Sequence, residues 1–129
     1  PTYMGGVPWQ FKRFADESSQ RWMTRAWADK FAGGFTNSAS PVGDKGQTIG
    51  YLQTLAAQHG MLWISLNQLP AVNMDNDEND MNRLGGSGGA LAASPADSSP
   101  EQGPKSGDLQ SAHAYGRRIA AIAETKIVA

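Results

Sequence analysis

The chain has no cysteine. That absence excludes a disulfide framework, a thiolate metal site and a cysteine nucleophile, and it fits a reducing, cytoplasmic setting. Charge of one sign is not in excess either: 11 Lys and Arg stand against 12 Asp and Glu, a formal charge of -1, so no overall field draws in nucleic acid or an anionic membrane. No apolar run approaches the roughly 18 residues that a membrane span needs, and the first residues do not read as a signal peptide. The 129 residues leave room for one domain, spanning 1–129, with a real core.

What the sequence does have is centred on Phe31 to Thr48. An apolar run ends in Thr36, Asn37, Ser38, Ser40, Pro41, Gly43, Asp44 and Gly46, and an amphipathic helix pattern follows. The order is strand, polar loop, helix. In an open parallel sheet such loops lie outside the carboxyl ends of the strands, where ligands bind. Hydroxyls, one side-chain amide and glycine-exposed N–H groups are on offer, with no cation before Lys45 and no histidine. These groups suit the polar, uncharged edge of a ligand better than nucleophilic catalysis; the plain alternative is a solvated turn.

Taken in order, Thr2, Tyr3, Met4, Gly5 and Gly6 look like a loop leaving the end of a strand that would lie upstream. Val7, Phe11 and Phe14 recur at helical spacing with Pro8 in the first turn, which predicts a helix over Pro8–Ala15. The Arg and Trp residues between 21 and 27 are too few and too balanced for a nucleic-acid face and read as packing or subunit-contact aromatics. Lys30–Phe35 reads as a short buried strand in which Gly33 and Gly34 mark a close backbone approach. Ile49, Leu52, Leu55 and Ala56 form one face of a helix over Gln47–Gln58, which Gly60 ends in a left-handed conformation. His59 sits at that helix terminus, where a histidine often has no chemistry. Met61–Leu66, apolar on both faces, reads as a second parallel strand, giving an α/β unit.

From Asn67 to Gly107 no period dominates. The acidic run Asp75–Asp80 fails as a calcium loop, because Asp80 and Gly86 stand where a glycine and a bidentate glutamate are required. Gly85–Gly89 lacks the Lys and Ser/Thr of a triphosphate loop and the strand and helix of a dinucleotide fingerprint. Ala90–Ala93 reads as a short strand and Ser94–Gly107 as a surface loop. A final helix begins with Asp108 as its N-cap, and Leu109, Ala112, Gly116, Ile119 and Ala123 mark its expected buried face.

Five stretches in sequence carry a family likeness: PTYMGG, GFTNSASPVGDKGQT, QHGM before an apolar strand, NRLGG with a later Ala/Ser segment, and GDLQSAHAYGRRIA. Together they resemble the flavodoxin-like NAD(P)H:quinone oxidoreductases of the tryptophan-repressor-binding-protein type. The resemblance implies an α/β fold, a doubly wound parallel sheet with flanking helices that holds FMN at its carboxyl edge. It also implies electron transfer from NADH or NADPH to a quinone or flavin acceptor, usually in a homo-oligomer. Pro1, Thr2, Tyr3, Met4, Gly5 and Gly6 match the loop at the flavin ring, and Thr36, Asn37, Ser38, Ala39, Ser40, Gly43 and Asp44 match the second flavin loop. Trp22 matches an aromatic at the substrate pocket, and His59 a catalytic histidine there, often supplied across a subunit contact.

Against this pattern, the family's first strands and phosphate loop have no counterpart in the sequence. The expectation is therefore either a flavoenzyme, or the C-terminal part of one, or a non-catalytic half-domain that self-associates and binds no FMN. Pro41 and Val42 also replace common glycines of the second flavin loop.

Overall fold

In the computed structural model, which describes residues 1–125, α1 (Trp9–Glu17) starts after extended Pro8 and is closed by Ser18, whose N–H bonds Phe14 O at 3.0 Å. It runs two residues past the predicted end because Lys12–Asp16 and Arg13–Glu17 pairs continue its solvent face. A short helix, α2 (Ser19–Met23), occupies the stretch that shows no clear period.

The strand expected over Lys30–Phe35 is two strands in one extended path, β1 (Phe31–Ala32) and β2 (Phe35–Ser38). The second extends into the predicted loop. β3 (Leu62–Trp63), shorter than Met61–Leu66, pairs in parallel with β1; β4 (Ala90–Ala93), where a short strand is expected, pairs in parallel with β2, Phe35 opposite Ala90 and Ser38 opposite Ala93. The path changes partner at Gly33–Gly34. There the phenol of Tyr115 enters the ladder, accepting from Gly34 N–H at 3.4 Å and donating to Ile64 O.

The two glycines show why this break forms. A Cβ on Gly33 would stand 2.6 Å from Ile119 Cδ1 and from the Tyr115 hydroxyl, and one on Gly34 would stand 2.6 Å from Leu52 Cδ1. Neighbouring residues of a strand face opposite sides. Hence α3 (Lys45–Gln58), which carries Leu52, and α4 (Ser106–Ala123), which carries Tyr115 and Ile119, cover opposite faces.

Helix α3 starts two residues earlier than its apolar period indicates, because buried Lys45 and Thr48 share its inner face with Ile49 and Ala56. It ends as predicted. Gly60 is left-handed at φ +71, its N–H bonds Ala57 O at 2.9 Å, and Met61 N–H bonds Ala56 O at 2.9 Å, a complete Schellman close.

Helix α4 departs more from expectation. It starts at Ser106, so Asp108 lies in its first turn and is not its cap. The inward face is Gly107, Asp108, Ser111 and Tyr115 followed by Ile119 and Ile122, whereas Leu109, Ala112, Gly116 and Ala123 are exposed. The first half of the helix packs on polar groups of the 67–89 segment, where Asn82 N–H bonds Ser111 Oγ at 2.7 Å and Gln68 Nε2 bonds Ser111 O at 2.9 Å. An apolar period is therefore the wrong guide there. The core gathers Ile64, Leu66, Ala90 and Tyr115, with Phe31, Ile119 and Ile122 packed against it.

Candidate functional site

Three loops meet at the carboxyl ends of β2 and β4. The first is the tight turn Tyr3–Gly6, with Met4 and Gly5 both left-handed at φ 47 and 80 and reciprocal bonds between Tyr3 and Gly6 of 2.9 and 3.2 Å. Thr2 ties it to the sheet: its N–H bonds Asn37 O at 2.8 Å, and its hydroxyl lies 2.8 Å from those of both Thr36 and Thr48. This buried threonine triad joins the first loop, β2 and α3.

The second loop, 38–44, closes around a lysine. Lys45 is 1% exposed, and its ammonium donates to Ser40 O at 2.5 Å and Pro41 O at 3.0 Å. Burial pushes its pKa below the ordinary lysine value, Asp108 offsetting this and Arg83 adding to it. Ser38 Oγ also donates to Ser40 O, and a Cβ on left-handed Gly43 would stand 2.0 Å from Ser38 Oγ, so the loop is packed tight. Asp44 is left-handed at φ 54 and precedes the helix.

The third loop, 94–104, continues β4, since Ser94 N–H bonds Ser38 O at 3.2 Å. Asn37 Nδ2 donates to Ser94 Oγ at 3.1 Å. The amide of Asn37 is thus a tether between two loops as well as a group at the site.

Between these loops lies a cavity of about 400 Å³, whose walls include Tyr3, Asn37, Ser38, Ser94, Ser98 and Ser99. Of the expected ligand residues, Pro1, Thr2, Tyr3, Asn37, Ser38 and Ala39 line it. Met4, Gly5, Gly6, Thr36, Ser40, Gly43 and Asp44 do not; Thr36 lies behind it in the threonine triad, and Ser40 and Gly43 build the second loop. The lining contains no Lys, Arg or His. Its side chains can hydrogen-bond a flat polar group and carry no positive charge for an anion.

Ser94, Ser98, Ser99 and Pro100 belong to the segment that reads as a surface loop in the sequence. The rule that points to the Asn37 loop, a polar stretch after a parallel strand, applies equally to the residues after Ala93.

Trp22 and His59 meet each other elsewhere. They share a cavity of about 290 Å³ with Ala15, Ser18 and Leu55, and none of its lining residues is shared with the first cavity. His59 ends α3 and precedes β3, so it sits at the amino edge of the sheet, opposite the three loops. It is 2% exposed and packs 4.4 Å from the Trp27 ring. Ser18 Oγ donates to Ala15 O at 2.7 Å and therefore accepts at 2.8 Å from His59 Nε2, leaving Nδ1 without a partner among the described residues. Within one chain, His59 does not face the loops of Tyr3 and Asn37.

Comparison with known proteins gives a consistent set. The chain is 50% identical over 124 residues to a flavodoxin, FldP, of Pseudomonas aeruginosa, covering 96% of the chain and 67% of that protein. It is 30% identical over 123 residues to an NAD(P)H dehydrogenase (quinone) of Geotalea uraniireducens, covering 95% and 58% respectively. A solved structure of a flavodoxin, WrbA-like protein from Agrobacterium tumefaciens superposes with a TM-score of 0.72 at 44% identity, over 96% of this chain and 62% of that one. The chain thus spans about two thirds of the first relative and less of the other two. No family model matches it.

Proposed function

Because the chain belongs to the flavodoxin-like family, we propose that its three-loop cavity holds the ring of a flavin, FMN, in an oxidoreductase or in part of one. The observation that carries this reading is the donor set: uncharged hydroxyls, an amide and backbone groups around about 400 Å³ at the carboxyl edge of a parallel sheet. The residues fit the ring portion; the lining has no cationic side chain to meet a phosphate. Tyr3 supplies an aromatic face, and Asn37 and the serines supply hydrogen bonds to a polar edge. Among the described residues, the N–H of Ala39, a residue of the cavity wall, donates to no protein group. A flavin bound there would supply electron transfer from NADH or NADPH to a quinone or a second flavin. In this reading the roles of Trp22 and His59 at an acceptor in another copy's cavity, His59 as the catalytic hydrogen-bond donor, would require the His59 ring to leave Ser18, because its Nε2–H is given to that hydroxyl.

The test is a titration of the purified chain with FMN and with lumiflavin, which is the ring alone, followed by flavin fluorescence. Saturable quenching by both is expected. Asn37→Leu removes the amide and the Ser94 tether and should weaken lumiflavin binding about tenfold, the loss of one hydrogen bond of about 1.4 kcal/mol. Equal affinity in the variant would put the ring somewhere else.

The free side of β2 favours a second reading, a half-domain that self-associates and binds no flavin. That side receives the Thr2 bond at Asn37 and, among the described residues, no further strand; Phe35 beside it is 76% exposed. Such an edge pairs readily with another chain. Sedimentation of the colourless chain should then show a concentration-dependent dimer. A monomer at all concentrations would end this alternative.

A further inference from the structure

We propose that Lys45 is the positioning residue of the flavin loop: its buried ammonium holds the carbonyls of Ser40 and Pro41 inward and thereby fixes the loop whose first residues, Ser38 and Ala39, line the ring cavity. The inference rests on the flavin reading above. Its basis is the unusual placement of a lysine at 1% exposure whose ammonium has, among the described residues, only two acceptors, both backbone carbonyls of one loop. The charges that act on it, Arg83 and Asp108, are already joined to each other at 2.6 Å. The ammonium is therefore committed to the loop.

The geometry of the peptide shows what the ammonium fixes. A C=O and the next residue's N–H point in opposite directions across a planar peptide. With Pro41 O drawn to Lys45, the Val42 N–H is turned away from the ammonium, and Val42 O is in turn held by the Lys45 N–H at 3.2 Å. Pro41 has no N–H of its own, so inward rotation of the Ser40 carbonyl sacrifices no donor. Proline and valine, in place of flexible glycines, thus form a workable loop because a cation pins it from inside. Without the ammonium, Pro41 O would lose its donor and Ser40 O would keep only Ser38 Oγ at 3.1 Å, so the loop would be free to rotate these carbonyls toward water.

The test uses the whole chain and the absence of any native cysteine. Lys45→Met removes the charge at nearly constant volume. Lys45→Cys, alkylated in the unfolded state with bromoethylamine and refolded, restores an ammonium at the length of lysine; alkylation with iodopropane gives an uncharged control should the methionine variant not fold. Two quantities are read: backbone order parameters of Ala39, Ser40 and Val42 in flavin-free protein, and lumiflavin affinity. In the uncharged variants the order parameters should fall from about 0.85 to below about 0.6, and lumiflavin should bind at least tenfold more weakly. The restored ammonium should return both. Unchanged loop order, or a disordered loop with unchanged lumiflavin affinity, overturns the inference while leaving the flavin reading standing. Failure of the unaltered chain to bind lumiflavin overturns the reading and this inference with it.

Discussion

Asp108→Ala is expected to lower the unfolding free energy by about 3–5 kcal/mol, the usual cost of removing one partner from a buried ion pair. The side chain is 2% exposed and serves two elements. Its carboxylate accepts from Arg83 Nε at 2.8 Å and Arg83 Nη2 at 2.6 Å, and it also accepts from Ala93 N–H at 3.0 Å. Truncation leaves a guanidinium, 19% exposed, without its counter-charge and removes the acceptor for the end of β4. A domain with a total of about 5–15 kcal/mol loses a large share of it. The effect differs from that of deleting both charges. Arg83→Met combined with Asp108→Leu removes the desolvation cost along with the attraction and should be markedly less destabilising than Asp108→Ala alone. Urea unfolding of the three proteins decides it; a loss below about 1 kcal/mol in Asp108→Ala, within the range of exposed pairs, would show that the pair is not buried in solution. Ser94 follows Ala93 directly, so the same variant should also loosen the third loop of the candidate site.

Much of the fold is legible in the sequence where local chemistry decides it. Gly60 needs no tertiary information: a helix ends, glycine tolerates the left-handed conformation, and the Schellman bonds close. The α/β order and the Ala90–Ala93 strand are equally local. The break at Gly33–Gly34 is half legible. The pair does mark a close approach, but periodicity is blind to a change of partner strand. The face of α4 fails for a related reason: its first half packs on Ser111, Asp108 and the 67–89 segment, and polar contacts leave no apolar stripe to count.

The candidate site divides along the same line. The Asn37 loop is found because it follows a strand, and the 94–104 loop is missed because its Pro and Ser residues match the composition of any solvent loop. Trp22 and His59 stand together in the structure, yet away from the loops with which the family likeness groups them. A likeness groups residues by role, whereas their places within one chain are set by the elements that carry them, here the C-terminal end of α3 for His59.

Tyr115→Phe should cost about 1–3 kcal/mol although it removes one oxygen from a residue that is 3% exposed. That oxygen stands in for a ladder bond. It donates to Ile64 O and accepts from Gly34 N–H where the extended path leaves β3 for β4, and no backbone group can replace it. The phenylalanine ring preserves the packing against Ile64 and Leu66, so the loss reports the two backbone groups left unpaired. A second signature is the response to alkali. Burial raises the Tyr115 pKa above its ordinary 10.0, only partly opposed by the Gly34 N–H and Arg118. Below pH 10 both folded and unfolded chains keep the proton and the contribution is intact. Above it the unfolded chain ionises first, and stability falls with rising pH by up to about 1.4 kcal/mol per unit until the folded pKa is reached. Tyr115→Phe should lose that one-proton slope. Denaturant midpoints measured from pH 8 to 11 separate the cases: parallel curves for the two proteins would show that the hydroxyl ionises as freely in the folded chain as in the unfolded one, and that it does not close the sheet.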